Sequence, residues 1–219
     1  MLMLSDGIER SFGKLLLGRG FQLRVTPRGT LPFDSEATID SIPGLIAAMS
    51  AEPGVAEVGA VLGASVFARS DGGLIPVVEY GVTPPDQGIY ELLRGSDLSP
   101  ADTLGVLLGE PLARTLHLRA GDTIHLAGRL DPRLAAARTE RTVTVRGIAR
   151  FVYDAREQPS LAVVLPLAQR LAGPAALNRA SMLMVRIADA QPVEAVTRRL
   201  QQHHPDVTIS SIAGMLAQF

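Results

Sequence analysis

Imidazole is the side chain best suited to metal ligation and to proton transfer near neutral pH, and the chain carries four: His117, His125, His203 and His204. The adjacent pair in "LQQHHPDV" is the first candidate for a metal site. Neighbouring side chains on a helix diverge by about 100°, so His203 and His204 cannot both ligate one ion without donors from elsewhere, and a polar helix end ahead of Pro205 accounts for them. His117 and His125 flank the turn in "HLRAGDTIHL", each alternating with leucine or isoleucine, which is the pattern of an element surface. Carboxylates offer a second chemistry. Asp34, Glu36 and Asp40 in "DSEATID" could hold calcium through oxygen, but the run has no EF-hand glycine and no closing glutamate, and acids just ahead of a helix complement its positive end. Asp122 has no acid or base partner near it in sequence. Gly121 supplies a positive φ there, and Asp122 can bond its own backbone to close the turn.

Nucleophilic and phosphate-binding signatures are missing. There is no cysteine, no G-x-S-x-G elbow, no P-loop and no G-x-G-x-x-G fingerprint, and the "GRG" at 18–20 is a helix stop. Arg28, Arg198 and Arg199 are surface cations that a partner or plain solvation would explain equally. The expectation is therefore a chain with no catalytic, cofactor-binding or metal site. Its 219 residues, 47% of them hydrophobic, suffice for one sizeable core or two small ones. A net charge of -1 gives no field to hold a phosphate backbone, so nucleic acid is not an expected partner. Crossing a bilayer takes about 20 apolar residues in a row, and runs such as "LAVVLPLA" fall short. The amino-terminal stretch meets Asp6, Glu9 and Arg10 before a signal-peptide core can form.

These residues must be positioned by the elements around them. Residues 5–17 read as an amphipathic helix, "FQLRVT" as a strand, 41–51 as a helix that Ser41 can cap with Leu45, Ile46 and Met49 inward, and "VAEVGAVLGASVFAR" as a strand. The last 40 residues repeat this grammar: strand "SMLMVRI", a helix over 192–203 with Val193, Val196 and Leu200 inward, and strand "DVTIS". Two β-α-β units, one at each end of the chain, can share one sheet backed by two helices. The middle changes texture. After the turn "SDGG" come strand "LIPVVEYGV", the break "TPPDQG", a short helix over "IYELLRG", strand "GVLLG", a short helix, and then strands "TIHLAG", "RTVTVRGIARFVYD" and "LAVVLP". "RLDPRLAAARTE" reads as a mobile hairpin tip. The expected class is α+β: a first half over 1–70, a β-rich insertion over 71–178 and a second half over 179–219.

The ordered set "EYGVTP", "LLRG", "VLLG", "LARTLHLRAGDTIHL" and "VTVRGIA", followed by "SMLMVRI" and "HPDVTI", resembles the extracytoplasmic domain of MacB-type ABC transporter permeases, the FtsX-like group that includes the lipoprotein-releasing LolC and LolE subunits. The resemblance spans nearly the whole chain. It implies a Porter-like subdomain from the two terminal units and an inserted β-rich Sabre-like subdomain. It also implies that helix 5–17 continues one membrane helix and that residues 211–219 lead into another, the full-length protein lying in the cytoplasmic membrane with this domain on its outer side. An ABC ATPase subunit, a second permease copy or a related permease, and a periplasmic adaptor or lipoprotein carrier are the implied partners. No segment matches the partner-binding hook of the lipoprotein-releasing branch. A freestanding periplasmic binding or carrier protein, and an accessory β-domain sharing only the glycine-aspartate turn, remain alternatives.

Overall fold

The computed structural model describes residues 20–30, 37–84, 89–128, 139–151 and 154–216. The helix expected over 5–17, Asp34 and Glu36, most of the hairpin tip over 129–140 and the end of the 211–219 segment lie outside them. The α+β class expected from the sequence is the class observed, with ten strands and five α-helices among the described residues. The chain divides into two compact units, one formed by Met1–Val61, Asp86–Ile89 and Asn178–Phe219, the other by Leu62–Pro85 and Tyr90–Leu177.

In the first unit, strand β1 (Leu23–Pro27), helix α1 (Ile42–Ser50) and the first part of strand β2 (Val55–Ser70) come from the amino-terminal side. Strand β9 (Met182–Ile187), helix α4 (Val193–His203), strand β10 (Val207–Ser211) and the five-residue helix α5 (Ile212–Leu216) come from the carboxy-terminal side. The two sets interleave in the order β10-β1-β9-β2. Every contact in that ladder is antiparallel: Val25 faces Ile209 on one side and Leu183 on the other, and Val58 faces Val185. Each terminal unit thus contributes two strands that are not neighbours, and neither pair could form a sheet alone. Phe21, Leu23, Val25, Met49, Leu183, Val185, Val196 and Leu200 are buried.

Helix α1 begins as Pro43 dictates, because a proline in the first turn lacks only an N–H that would have been unpaired. Ser41 does occupy the N-cap position, but it sits in the left-handed region at φ 52° and makes no side-chain cap bond. Instead Asn178 accepts the N–H of Ile42 through its carbonyl at 3.0 Å. Of the expected inward stripe Met49 is fully buried, whereas Leu45 and Ile46 are half-buried and Ile42 carries the other contact.

The second unit is a closed ring of strands. The rest of β2 is followed by β3 (Gly73–Val82), β8 (Ser160–Val164), β5 (Gly105–Gly109) and β7 (Glu140–Phe151), and strand β6 (Thr123–Ala127) pairs with both β7 and β2 to complete the circuit. Two of the ladders, β3 with β8 and β5 with β7, are parallel. Such closure leaves no free edge inside the ring. Strand β4 (Tyr90–Gly95) pairs with the Gly147–Phe151 end of β7, beyond the Glu140–Thr144 stretch that β6 occupies.

Strand β4 corrects the short helix expected over "IYELLRG". Glu, Leu and Arg favour a helix, but over so short a run propensity is a weak preference that tertiary pairing overrides. Pairing with β7, Tyr90 opposite Phe151 and Gly95 opposite Gly147, satisfies the same backbone groups, with a bulge where Leu93 is passed over. Two helices complete the unit: α2 (Glu110–Leu116) and α3 (Leu165–Ala172). Helix α3 is not among the elements expected from the sequence.

Candidate functional site

The turn after α2 has the geometry its residue types require. Leu118 donates its N–H to the carbonyl of Ala113 at 3.0 Å and His117 to that of Arg114 at 3.3 Å, the pair of bonds that ends a helix in a left-handed residue. His117 is that residue, at φ 55°. Gly121 follows at φ +97°. The Asp122 carboxylate accepts the N–H of Arg119 at 2.9 Å, while the backbone of Gly121 and Asp122 exchanges bonds of 2.8 Å with Val145 on β7. These backbone and carboxylate bonds fix the turn between α2 and β6 and tie it to β7.

The histidines are dispersed. His125, on β6, hydrogen-bonds through Nδ1 to the Thr142 hydroxyl on β7 at 2.9 Å. His203, on the last turn of α4, lies 2.5 Å from the Glu52 carboxylate through Nδ1, and Arg199 approaches the same carboxylate at 3.4 Å. The hydrogen bond from His203 holds the Glu52 carboxyl below its usual range, against the opposing effect of burial. Arg199 also donates to the carbonyl of Pro53. These contacts tie α4 to the turn between α1 and β2. Asp40 pairs with Arg179 at 2.8 Å, and Arg28 donates to the carbonyl of Pro205 at 3.1 Å. Arg198 is exposed. Among the described residues no three His, Asp or Glu side chains converge as a metal site would require.

His204 does lie beside a concavity. An open cleft of about 590 Å³ runs along the first unit between the end of β1 at Pro27 and Arg28, the start of α1 at Ser41 and Leu45, and the α4–β10 turn at His204 and Asp206. Its lining mixes charge, hydroxyl and aliphatic groups.

Two polar constellations in the second unit were not singled out from sequence. Asp154 accepts hydrogen bonds from the hydroxyls of Ser160 and of Tyr80, the latter at 3.3 Å. Tyr80 stacks on Phe151 with ring centroids 5.1 Å apart, and Tyr90 meets Phe151 edge-on at 5.7 Å before its hydroxyl donates to Asp97 at 2.6 Å. Burial raises the Asp154 carboxyl to about 6, although both hydroxyls favour its charged form. Serine and aspartate stand together there without an imidazole to take the hydroxyl proton, so the arrangement anchors the residues leading into β8. The second constellation is a single residue: Glu79 on β3 is fully buried and neither of its carboxylate oxygens has a hydrogen-bond partner. Only the alternation of β3 hinted that this acid faces inward.

Most of these polar groups serve turns, helix ends and loop anchors, and the chain's relatives carry the question of its role. Residues 1–203 match the family of the MacB-like periplasmic core domain. The chain belongs to that family. Among solved structures, the periplasmic region of MacB from Actinobacillus actinomycetemcomitans superposes with a TM-score of 0.65 at 15% identity, covering 94% of this chain and 97% of that one. The extracellular domain of the noncanonic ABC-type transporter YknZ from Gram-positive bacteria gives a TM-score of 0.57 at 13% identity, covering 87% of this chain and 98% of that one. At such identities the shared property is the fold. No curated protein matches the sequence. This MacB-like domain is thus the periplasmic or extracellular part of an ABC transporter permease, and its family is one of non-catalytic permease domains. No helix among the described residues is long and apolar enough to cross a membrane.

Proposed function

We propose that this domain transmits motion: cytoplasmic ATP hydrolysis by a separate ATPase subunit is converted, through the permease that carries the domain, into conformational change and handling of a substrate or partner outside the membrane. The observation that carries this reading is membership of the MacB-like periplasmic core family over residues 1–203. The first unit corresponds to a Porter-like subdomain and the second to a Sabre-like one. A second permease copy or a related permease completes the outer assembly, and a periplasmic adaptor or a lipoprotein carrier receives what is moved. Physical support comes from the packing of the first unit. Its four strands alternate between the two ends of the chain, so a displacement applied at either end loads one continuous antiparallel ladder, and packed cores shift as units rather than deform gradually.

The test uses the absence of cysteine. These 219 residues hold no cysteine, so a single Arg198→Cys variant of the intact permease, with any cysteine elsewhere in the permease and its ATPase replaced by serine, assembled in a bilayer and labelled with an environment-sensitive fluorophore, reports on the exposed face of α4. A signal that cycles with ATP addition and hydrolysis is the expected result. A signal identical with and without nucleotide, in a complex that still hydrolyses ATP, removes the mechanical role.

A further inference from the structure

Glu79 stands on the face of β3 that looks into the closed ring. Strand alternation places Val77, Glu79 and Gly81 on one side and Val78, Tyr80 and Val82 on the other. Gly81 identifies the first side: a methyl there would come within 2.4 Å of the Ala168 Cβ, 3.4 Å of the Leu62 Cβ and 3.5 Å of the Leu165 Cα. Helix α3 therefore rests directly on β3, two residues along from Glu79, and only a glycine lets it come so close. The helix is seated mainly by apolar contact, with Gln169 as its buried polar side chain. Leu165, Leu167, Ala168 and Leu171 are buried, and only Pro166 and Arg170 are exposed on it.

A carboxyl in such a place has two states of very different cost. Neutral, it is a small polar group without a partner; ionised, it is an uncompensated charge in an apolar interior. Burial alone raises its pKa, to about 8. The titratable groups on the elements around it point elsewhere: Tyr80 lies on the opposite face of β3, Arg69 of β2 is exposed and paired with Glu140 at 3.2 Å, and Arg170 of α3 is exposed. Strand β8, which sets Leu161 opposite Glu79, has none. The charged form must therefore find water. Strands β2, β3 and β8 are held by ladders in an unbroken ring, whereas α3 is the adjoining wall that no ladder holds.

We propose that Glu79 is a proton-operated latch for α3: with its carboxyl neutral the helix stays seated on β3, and loss of the proton to solvent is coupled to the helix leaving its seat. The inference goes beyond the transmission role, because it holds for the domain whether or not that role does. In a transporter domain such a latch would make one wall of the second unit responsive to the pH of its compartment.

The sign of the coupling fixes the test. If Glu79 ionises only when α3 is open, the opening equilibrium grows as pH rises from the ordinary glutamate value of 4.5 towards about 8. Within that window it grows by about tenfold per pH unit. Hydrogen exchange of the 165–172 amides, corrected for the intrinsic pH dependence and referenced to α4, is measured at several pH values from 5.5 to 7.5 in the permease. Protection of α3 is expected to fall across the series while α4 stays level. In Glu79→Gln, and in the apolar Glu79→Met as a second variant should the amide misfold, α3 protection is expected to be flat. A flat profile in the unsubstituted protein overturns the proposal, and so does the same fall in a folded variant.

Discussion

The side-chain carbonyl of Gln201 accepts the backbone N–H of Ile209 at 2.9 Å. The same amide group donates to the carbonyl of Val207 at 2.8 Å and to that of His204 at 3.2 Å. Strand β10 is the outermost strand of its sheet, with β1 on one side only. A single side chain on α4 thus does for this edge what a further strand would do, and exposed edges are the usual route to unwanted strand pairing.

Replacing Gln201 with alanine should therefore have two effects. Stability falls by about 1–3 kcal/mol, since partly buried backbone groups lose their partners, and the freed edge promotes concentration-dependent association. Denaturant unfolding measures the first and light scattering across a concentration series the second. Gln201→Glu keeps the acceptor for Ile209 and adds a charge to the edge, so it is expected to associate no more than the unsubstituted protein. A Gln201→Ala protein that stays monomeric at high concentration would show that the edge is protected by other means.

Glu52 links acid stability to α4. Its carboxyl is held below the usual range chiefly by His203, so its contribution is fully present above the ordinary value of 4.5 and is lost as pH falls through the depressed folded value. Glu52→Gln should flatten this part of the acid limb of a stability–pH curve. The curve should be followed by far-ultraviolet circular dichroism of urea unfolding.

Asp154 acts in the opposite sense. Its folded value lies near 6 against an ordinary 3.8, so the favourable neutral form is complete below 3.8 and its contribution is lost as pH rises through about 6. Asp154→Asn should be less sensitive than the unsubstituted protein between pH 4 and 6, with the difference read from urea midpoints. Equal slopes would mean that water reaches the carboxyl freely.

The turn at Gly121 offers a backbone test. A side chain added there meets no atom within 4 Å, so any cost comes from φ +97° rather than from crowding. Gly121→Val is expected to destabilise the second unit by about 1–3 kcal/mol, seen as a lower thermal midpoint.

The sequence made the turn at Gly121 and the pairing of the two chain ends legible, because both are written in local signals: a glycine beside an aspartate, and apolar residues at periods of two and 3.6. What escaped depends on closure. "YELLRG" carries helix-forming residues and became β4 only because β7 was there to pair with it. "LPLAQRLA" follows a buried strand without a polar break, and its Pro166 marks a first helical turn as readily as a stop. The burial of Glu79 depends on the ring that β6 completes, which no local signal in "LIPVVEYGV" records. At the candidate residues the local signals were partly legible: Asp122 closes its turn and His203 holds a helix end, as their positions suggested, whereas nothing local in the sequence marks the burial of Glu79.

Strands β1 and β9, neighbours at the centre of the first unit's ladder, are separated in sequence by the whole of the second. During synthesis the ribosome delivers every residue of the second unit before β9 and β10 exist, so that unit can mature alone while β1 waits without either of its partners. Biogenesis of this domain is then an ordered process, the inserted unit first and the unit built from both chain ends last, with β1 the segment most in need of a chaperone meanwhile.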